Sequence, residues 1–508
     1  MTRYIQVMDT TLRDGEQTSG VSFSASEKLT IAKLLLQEVK VDRIEVASAR
    51  VSDGEFNAVK GITAWAQSVN MIDKIEVLTF VDGGVSIEWM IKSGAKVMNL
   101  LTKGSLNHLE HQLKKSPADH FADIQKELDL ASENGITVNV YLEDWSNGMK
   151  NSKTYVMEFL DYLTNQKISK ILLPDTLGIL TPYETKAFLR EILDRYPNTH
   201  FEFHAHNDYD LGTANVLVAV QEGIHGIHLT VNGMGERAGN APLASAIAVI
   251  NDFVKDVKTN INEESLYSIS KMIEGFSGLR IPENKPIVGE NVFTQTAGIH
   301  ADGDKKNNLY FSELMPERFG RKRTYALGKT SGKANIENNL RELGIELDDQ
   351  DLKRVTQHII SLGDKKEVVT REDLPFILAD VLDSNTWSED VKIVNYVLTH
   401  SKNLKPTATL QMQIGQNDYE ESAQGDGQYD AFMNALKKIY NKKGVELPVL
   451  TDYFVRIPPG GNTDALCETI ITWKYNGKEM KTHGLDSDQT VSAIKATQKI
   501  LNILQLTF

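Results

Sequence analysis

Between residue 4 and about residue 275 the chain repeats one pattern eight times: a short run rich in apolar and β-branched residues, then a stretch with apolar side chains at helical spacing. The runs are YIQVMD, VDRIEVAS, KIEVLTFV, KVMNLLT, ITVNVYLED, ISKILLPDT, HFEFHAHND and GIHLTVNG. Strands that alternate with helices pair in parallel, because each helix carries the chain back to the same end of the sheet. Eight such units in roughly 250 residues close into a (β/α)8 TIM barrel more readily than they spread into an open sheet. In the first connecting helix, SASEKLTIAKLLLQEVK, Ser24 and Glu27 occupy reciprocal capping-box positions, and Leu29, Ile31, Leu34 and Leu35 follow at helical spacing. Barrels of this kind carry their chemistry at the C-terminal ends of the strands.

The chain has 508 residues, enough for about three compact units. We expect an α/β barrel over 1–275, then small helical linker subdomains over 276–390, opening with the Gly/Pro-punctuated IPENKPIVGENVFTQTAGIHADGDKKNNLY. Residues 391–508 read as an α+β module with an approximate internal repeat. Two strand-strand-helix copies end in GDGQYDAFMNALKKI and GLDSDQTVSAIKATQKILN. With 41% hydrophobic and 24% charged residues the composition is that of a globular protein, and a net charge of −14 argues against a nucleic-acid partner. The single cysteine, Cys467, excludes an internal disulfide or a cysteine metal cluster, fits a reducing compartment, and reads as a buried small hydrophobe. The opening MTRYIQVMDTTLRDGEQ enters a strand without the marks of a secretory signal, and no run approaches the roughly 20 apolar residues that span a bilayer. The expectation is a cytoplasmic protein with no membrane segment.

Alternate side chains on a strand share a face, so in FEFHAHND the set Glu202, His204 and His206 points one way and Phe201, Phe203 and Ala205 the other. With the polar set in the barrel, two imidazoles at a strand end can reach one divalent ion. The loop after the first strand, DTTLRDGEQ, adds Asp14 as an oxygen ligand and Arg13 as a fixed positive charge for a developing enolate or alkoxide. In ITVNVYLED the same rule sets Asn139, Tyr141 and Glu143 on the interior side. A buried Glu143 must be protonated, paired with Arg13 or hydrogen-bonded to substrate, and each makes it an acid/base candidate. Leu78, Leu101 and Tyr141 are large enough to restrict the space beside the metal, which favours a short oxo acid.

The stretches DTTLRDGEQTSGVSFS, HAHNDYDLGTANVLVAV and VNGMGERAGNAPL resemble the signatures of the 2-isopropylmalate, homocitrate and citramalate synthase family, and the likeness runs through the whole chain. The resemblance implies a Claisen-type condensation of acetyl-CoA with a small 2-oxo acid, assisted by a divalent metal. Oxygen and imidazole donors suit magnesium, manganese and zinc alike. It implies Asp14, His204, His206 and Asn240 as ligands, Arg13 and Glu143 as the catalytic pair, and Thr176 as a contact for the oxo-acid carboxylate. His300 is a second candidate base. In a homodimer, His300, Asp302, Asn308 and Tyr310 would complete the partner's site and meet the cosubstrate. The C-terminal module would dimerise and bind an end-product amino acid, isoleucine or leucine, around Asp430, Ala431, Asp464 and Ala465. VDRIEVASARVS, NLLTKGS and NVYLEDWSNG look most like the citramalate synthases, which take pyruvate. The alternative is 2-isopropylmalate synthase acting on 2-oxoisovalerate, and a homocitrate synthase would want a further basic residue for a distal carboxylate. The GRKR run at 320–323 reads either as a contact for CoA phosphates or as a solvated charge cluster. The competing readings are aldolase or carboxyltransferase activity and a non-catalytic amino-acid sensor. The first lacks a biotin-carrier segment and lysine pattern, and the second conflicts with the intact polar set.

Overall fold

A computed structural model describes residues 2–297, 309, 312–343, 345–364, 369–382, 391–456 and 467–505. The eight expected strands are Gln6–Asp9 (β1), Arg43–Ser48 (β2), Ile75–Phe80 (β3), Val97–Lys103 (β4), Thr137–Glu143 (β5), Lys170–Asp175 (β6), Phe201–Ala205 (β7) and Gly226–Leu229 (β8). All pair in parallel, and β8 returns to β1 with Gly226 opposite Gln6, closing the barrel. Outward side chains meet the helical layer: Phe201 lies 6.2 Å from Tyr196 and Phe203 6.4 Å from Trp145, ring to ring. Inward residues stack in layers. Toward the strand starts, Arg43 binds Glu76 and Glu202 at 2.5 Å each. Above this charged floor sits an apolar plug of Met8, Leu78, Tyr141 and Leu172, with Leu101 against it.

The first helix, Ala25–Leu34, starts with the expected box, in which Ser24 accepts from the Glu27 N–H and Glu27 returns a bond to the Ser24 N–H. Ser24→Ala should lower stability by about 1 kcal/mol, read as a lower denaturation midpoint at unchanged slope.

The described residues form two compact units, 1–293 with 312–323 and 294–311 with 324–508. In the second unit the helices Lys333–Glu342, Asp349–Asp364 and Leu374–Leu382 share a small core that includes Ile336, Leu340, Leu352, Val355 and Ile359. Two antiparallel sheets follow: Val391–Ser401 (β9), Leu404–Ile414 (β10) and Asn417–Gln424 (β11), then Val449–Arg456 (β12), Cys467–Tyr475 (β13) and Lys478–Asp486 (β14). A helix follows each sheet, Gln428–Lys443 and Gln489–Gln505, and both copies share one core. The repeat is thus three strands and a helix per copy, which corrects the two-strand reading. Cys467 is buried.

Candidate active site

The loop after β1 is anchored from below. Lys28 is wholly buried, and its ammonium binds Glu16 at 2.5 Å, Glu55 at 2.6 Å and the Leu12 carbonyl at 3.2 Å. That holds Arg13 and Asp14 at the barrel mouth, where β7 delivers His204 and His206. Asp14 Oδ2 lies 3.3 Å from His204 Nε2 and 3.7 Å from His206 Nε2, and one donor atom from each of the three falls within 4.8 Å of the others. Asn240 is bridged to His206 through the backbone and donates its Nδ2 hydrogen to the Met234 carbonyl at 3.0 Å.

These groups fit a divalent cation. Among the described residues, Asp14 Oδ1, Asn240 Oδ1 and the Nδ1 atoms of both histidines are buried without a hydrogen-bond partner, a costly arrangement unless something else takes their lone pairs. Burial pushes the His206 imidazole down to about 4 and lowers that of His204, so both rings are neutral donors at neutral pH. Burial alone would push the Asp14 carboxyl up, but Arg13 and the histidines hold it well below the usual carboxylate range. The backbone leaves room beside this cradle. A Cβ on Gly235, whose φ is +151°, would stand 2.2 Å from Asn240 Nδ2 and 3.2 Å from Asp14 Oδ1. Gly235→Ala is therefore expected to weaken metal binding by about 10- to 100-fold in a calorimetric titration with Mn²⁺ or Zn²⁺, with the circular dichroism of the fold retained.

Arg13 donates to Glu45 at 2.5 Å and to Asp14 at 3.1 Å, and its guanidinium lies 5.9 Å from the Tyr141 ring centre. Burial opposes its charge, but Glu45 and Asp14 more than offset this, so it stays protonated. The pairing of Glu143 departs from expectation: it pairs with Lys103, directly opposite on β4, and not with Arg13. Nor is it fully buried, since its side chain is 23% exposed.

A cavity of about 240 Å³ opens beside the metal cradle. It is lined by Arg13, Asp14, His204 and His206, and all of the expected pocket residues Leu78, Leu101, Tyr141, Glu143 and Thr176 face it. Thr176 Oγ1 accepts from the Asp144 N–H at 2.9 Å, which leaves its own hydrogen free to donate to a carboxylate. Phe80, Ser48 and Arg237 also line the cavity and went unread in the sequence. Arg237 and Lys103 bring extra positive charge near it, but Arg237 is held by Asp208 at 2.8 Å and Lys103 by Glu143. Also unread were Glu45, which receives Asn99 Nδ2 at 2.7 Å besides Arg13, and the Arg43 floor. Their signal is the same alternation used for β7, since Arg43 and Glu45 stand two apart in RIEVAS.

His300, Asp302, Asn308, Tyr310, Asp464 and Ala465 lie outside the described residues. Asp430 is exposed at the start of the helix Gln428–Lys443 and receives the Asp426 N–H at 2.9 Å, while Ala431 is buried. In the GRKR run, Arg321 is no solvated charge. It stacks 4.5 Å over Tyr267 and donates to the carbonyls of Ile287, Gly289 and Glu290.

Residues 4–273 match the HMGL-like family model, 287–367 the homocitrate synthase post-HMGL domain-like model and 368–505 the LeuA allosteric (dimerisation) domain. A putative (R)-citramalate synthase CimA of Methanopyrus kandleri is 32% identical over 91% of this chain and 88% of its own length. The chain belongs to the citramalate and 2-isopropylmalate synthase family. A probable 2-isopropylmalate synthase of Methanopyrus kandleri is 31% identical over 98% of each chain, and a 2-isopropylmalate synthase of Methanocaldococcus jannaschii is 32% identical over 97% of this chain and 93% of its own. Membership makes the chain an acyl-transferring enzyme and supports condensation of acetyl-CoA with a 2-oxo acid. No helix among the described residues is long and apolar enough to cross a membrane.

Proposed function

We propose that this enzyme condenses acetyl-CoA with pyruvate to give (R)-citramalate and CoA on a route to isoleucine. The observation that carries the choice of pyruvate is the cavity beside Asp14, His204 and His206, walled by Leu78, Leu101 and Tyr141. A pocket filled by such side chains selects a methyl over an isopropyl group, with each methylene worth about 1–3 kcal/mol.

Asp14, His204, His206 and Asn240 would hold a divalent cation, which would supply Lewis-acid polarisation of the 2-oxo group. The Thr176 hydroxyl binds the substrate carboxylate. Glu143 removes a methyl proton from acetyl-CoA, with His300 as the second candidate for that step. The enolate carbon bonds to the ketone carbon, and Arg13, whose Nε and Nη1 are taken by Glu45 and Asp14, turns Nη2 to the negative oxygen that develops. Water then cleaves the thioester, releasing CoA thiol and the carboxylate product.

The reading includes a three-part chain, 1–275 catalytic, 276–390 linker and 391–508 regulatory. It includes a homodimer in which His300, Asp302, Asn308 and Tyr310 serve the partner's site, with isoleucine sensed near Asp430, Ala431, Asp464 and Ala465. The match of 368–505 to an allosteric dimerisation domain supports the last two points. A cytoplasmic location fits the single cysteine.

The test is CoA release measured in parallel with pyruvate, 2-oxoisovalerate and 2-oxoglutarate, each with and without isoleucine or leucine. Pyruvate should lead and isoleucine should inhibit. A preference for 2-oxoisovalerate of more than about tenfold would replace this reading with 2-isopropylmalate synthase.

A further inference from the structure

We propose that His228, which does not line the cavity, sets the depth of the oxo-acid pocket by pinning the Tyr141 ring. The inference rests on the reading of that cavity as the oxo-acid site. Tyr141 stands on β5, 2% exposed, with its ring against the cavity and edge-on to His204 at 6.1 Å. Its hydroxyl lies 2.9 Å from Nδ1 of His228, a fully buried residue of β8. The far nitrogen of that ring, Nε2, lies 2.9 Å from Glu202 Oε2. Arg43 grips the same carboxylate through Nη2 at 2.5 and 2.6 Å, and His200 adds a bond at 2.8 Å.

The direction of each bond follows from the one before it. Arg43 holds Glu202 as a carboxylate, which can only accept, so Nε2 of His228 carries the ring proton. In the neutral ring Nδ1 is then a lone pair, which accepts from the Tyr141 hydroxyl. Apolar contacts alone would not fix the ring so firmly, because Met8, Leu78, Leu172 and Leu101 press on it without regard to where its tip points. A buried hydroxyl that loses its acceptor is costly and seeks a new partner, carrying the ring with it. The tyrosine is thus a wall with a bolt behind it, and the bolt runs to the charged floor of the barrel.

The two ring nitrogens can be separated by substitution, since an asparagine amide reaches the place of Nδ1 and a glutamine amide the place of Nε2. The experiment measures kcat and KM for pyruvate and 2-oxoisovalerate in wild type, H228N, H228Q, Y141F and the H228Q/Y141F double variant. H228N should keep the wild-type ratio of kcat/KM values. H228Q should lower it by about tenfold or more, through KM for 2-oxoisovalerate rather than kcat for pyruvate. Y141F should lower it as well, and H228Q should then add nothing in the Y141F background. Equal shifts in H228N and H228Q, or additive effects in the double variant, overturn the proposal. Should H228Q not fold, Y141F decides, and a wild-type ratio there overturns it. A wild type that condenses neither oxo acid overturns the functional reading and this inference together, whereas a selective wild type with unmoved variants overturns the inference alone.

Discussion

His206→Ala is expected to lower kcat/KM by about a thousandfold, equivalent to ~4 kcal/mol of transition-state stabilisation. The loss follows from geometry: Asp14, His204 and His206 present their donor atoms within 4.8 Å of each other, and Asp14 Oδ1 and Asn240 Oδ1 are buried without a partner among the described residues. Chelation of the wild type should produce the same loss, reversed by adding back Mg²⁺, Mn²⁺ or Zn²⁺, while the variant should recover only at much higher metal concentration. A chelated wild type that turns over at the original rate would show that the cradle has no part in the reaction.

Arg43→Met is expected to destabilise the barrel by about 3–5 kcal/mol, the cost of leaving buried carboxylates without their cation. Glu76 and Glu202 are both fully buried, and burial would push the Glu202 carboxyl up, but Arg43 and its two histidines hold it well below the usual range. The measurement is a denaturant titration of the variant. Replacing Arg43, Glu76 and Glu202 together by apolar residues of similar size should cost far less, because no charge is then stranded. A single substitution as mild as the triple one would mean that water reaches the floor.

What the sequence made legible is what it encodes locally. The eight strands and the Ser24 box rest on periods of two and 3.6 residues and on a four-residue signature, all contained within single segments. The metal cradle was legible because His204 and His206 lie on one strand and Asp14 stands at the mouth of another. The partner of Glu143 was not, because the register that sets Lys103 opposite it joins segments 40 residues apart and leaves no local trace. The charged floor was half visible: alternation puts Arg43 and Glu45 on one face, but nothing in RIEVAS says that Arg43 reaches β3 and β7 while Glu45 reaches the β1 loop. The third strand of each C-terminal copy was missed for a different reason. NDYEESAQ and KEMKTHGLD are largely polar and lie at the sheet edges, so they lack the apolar alternation that marks a strand.

The buried ammonium of Lys28 has a consequence for how ions are received. With that anchor the strand-end loop is stiff before any cation arrives, so binding carries little ordering entropy and the ligands do not have to gather. A ready-made seat of this kind admits ions by radius and coordination preference alone. Its preference among small divalent cations should then follow their size and coordination geometry rather than any adjustment by the protein.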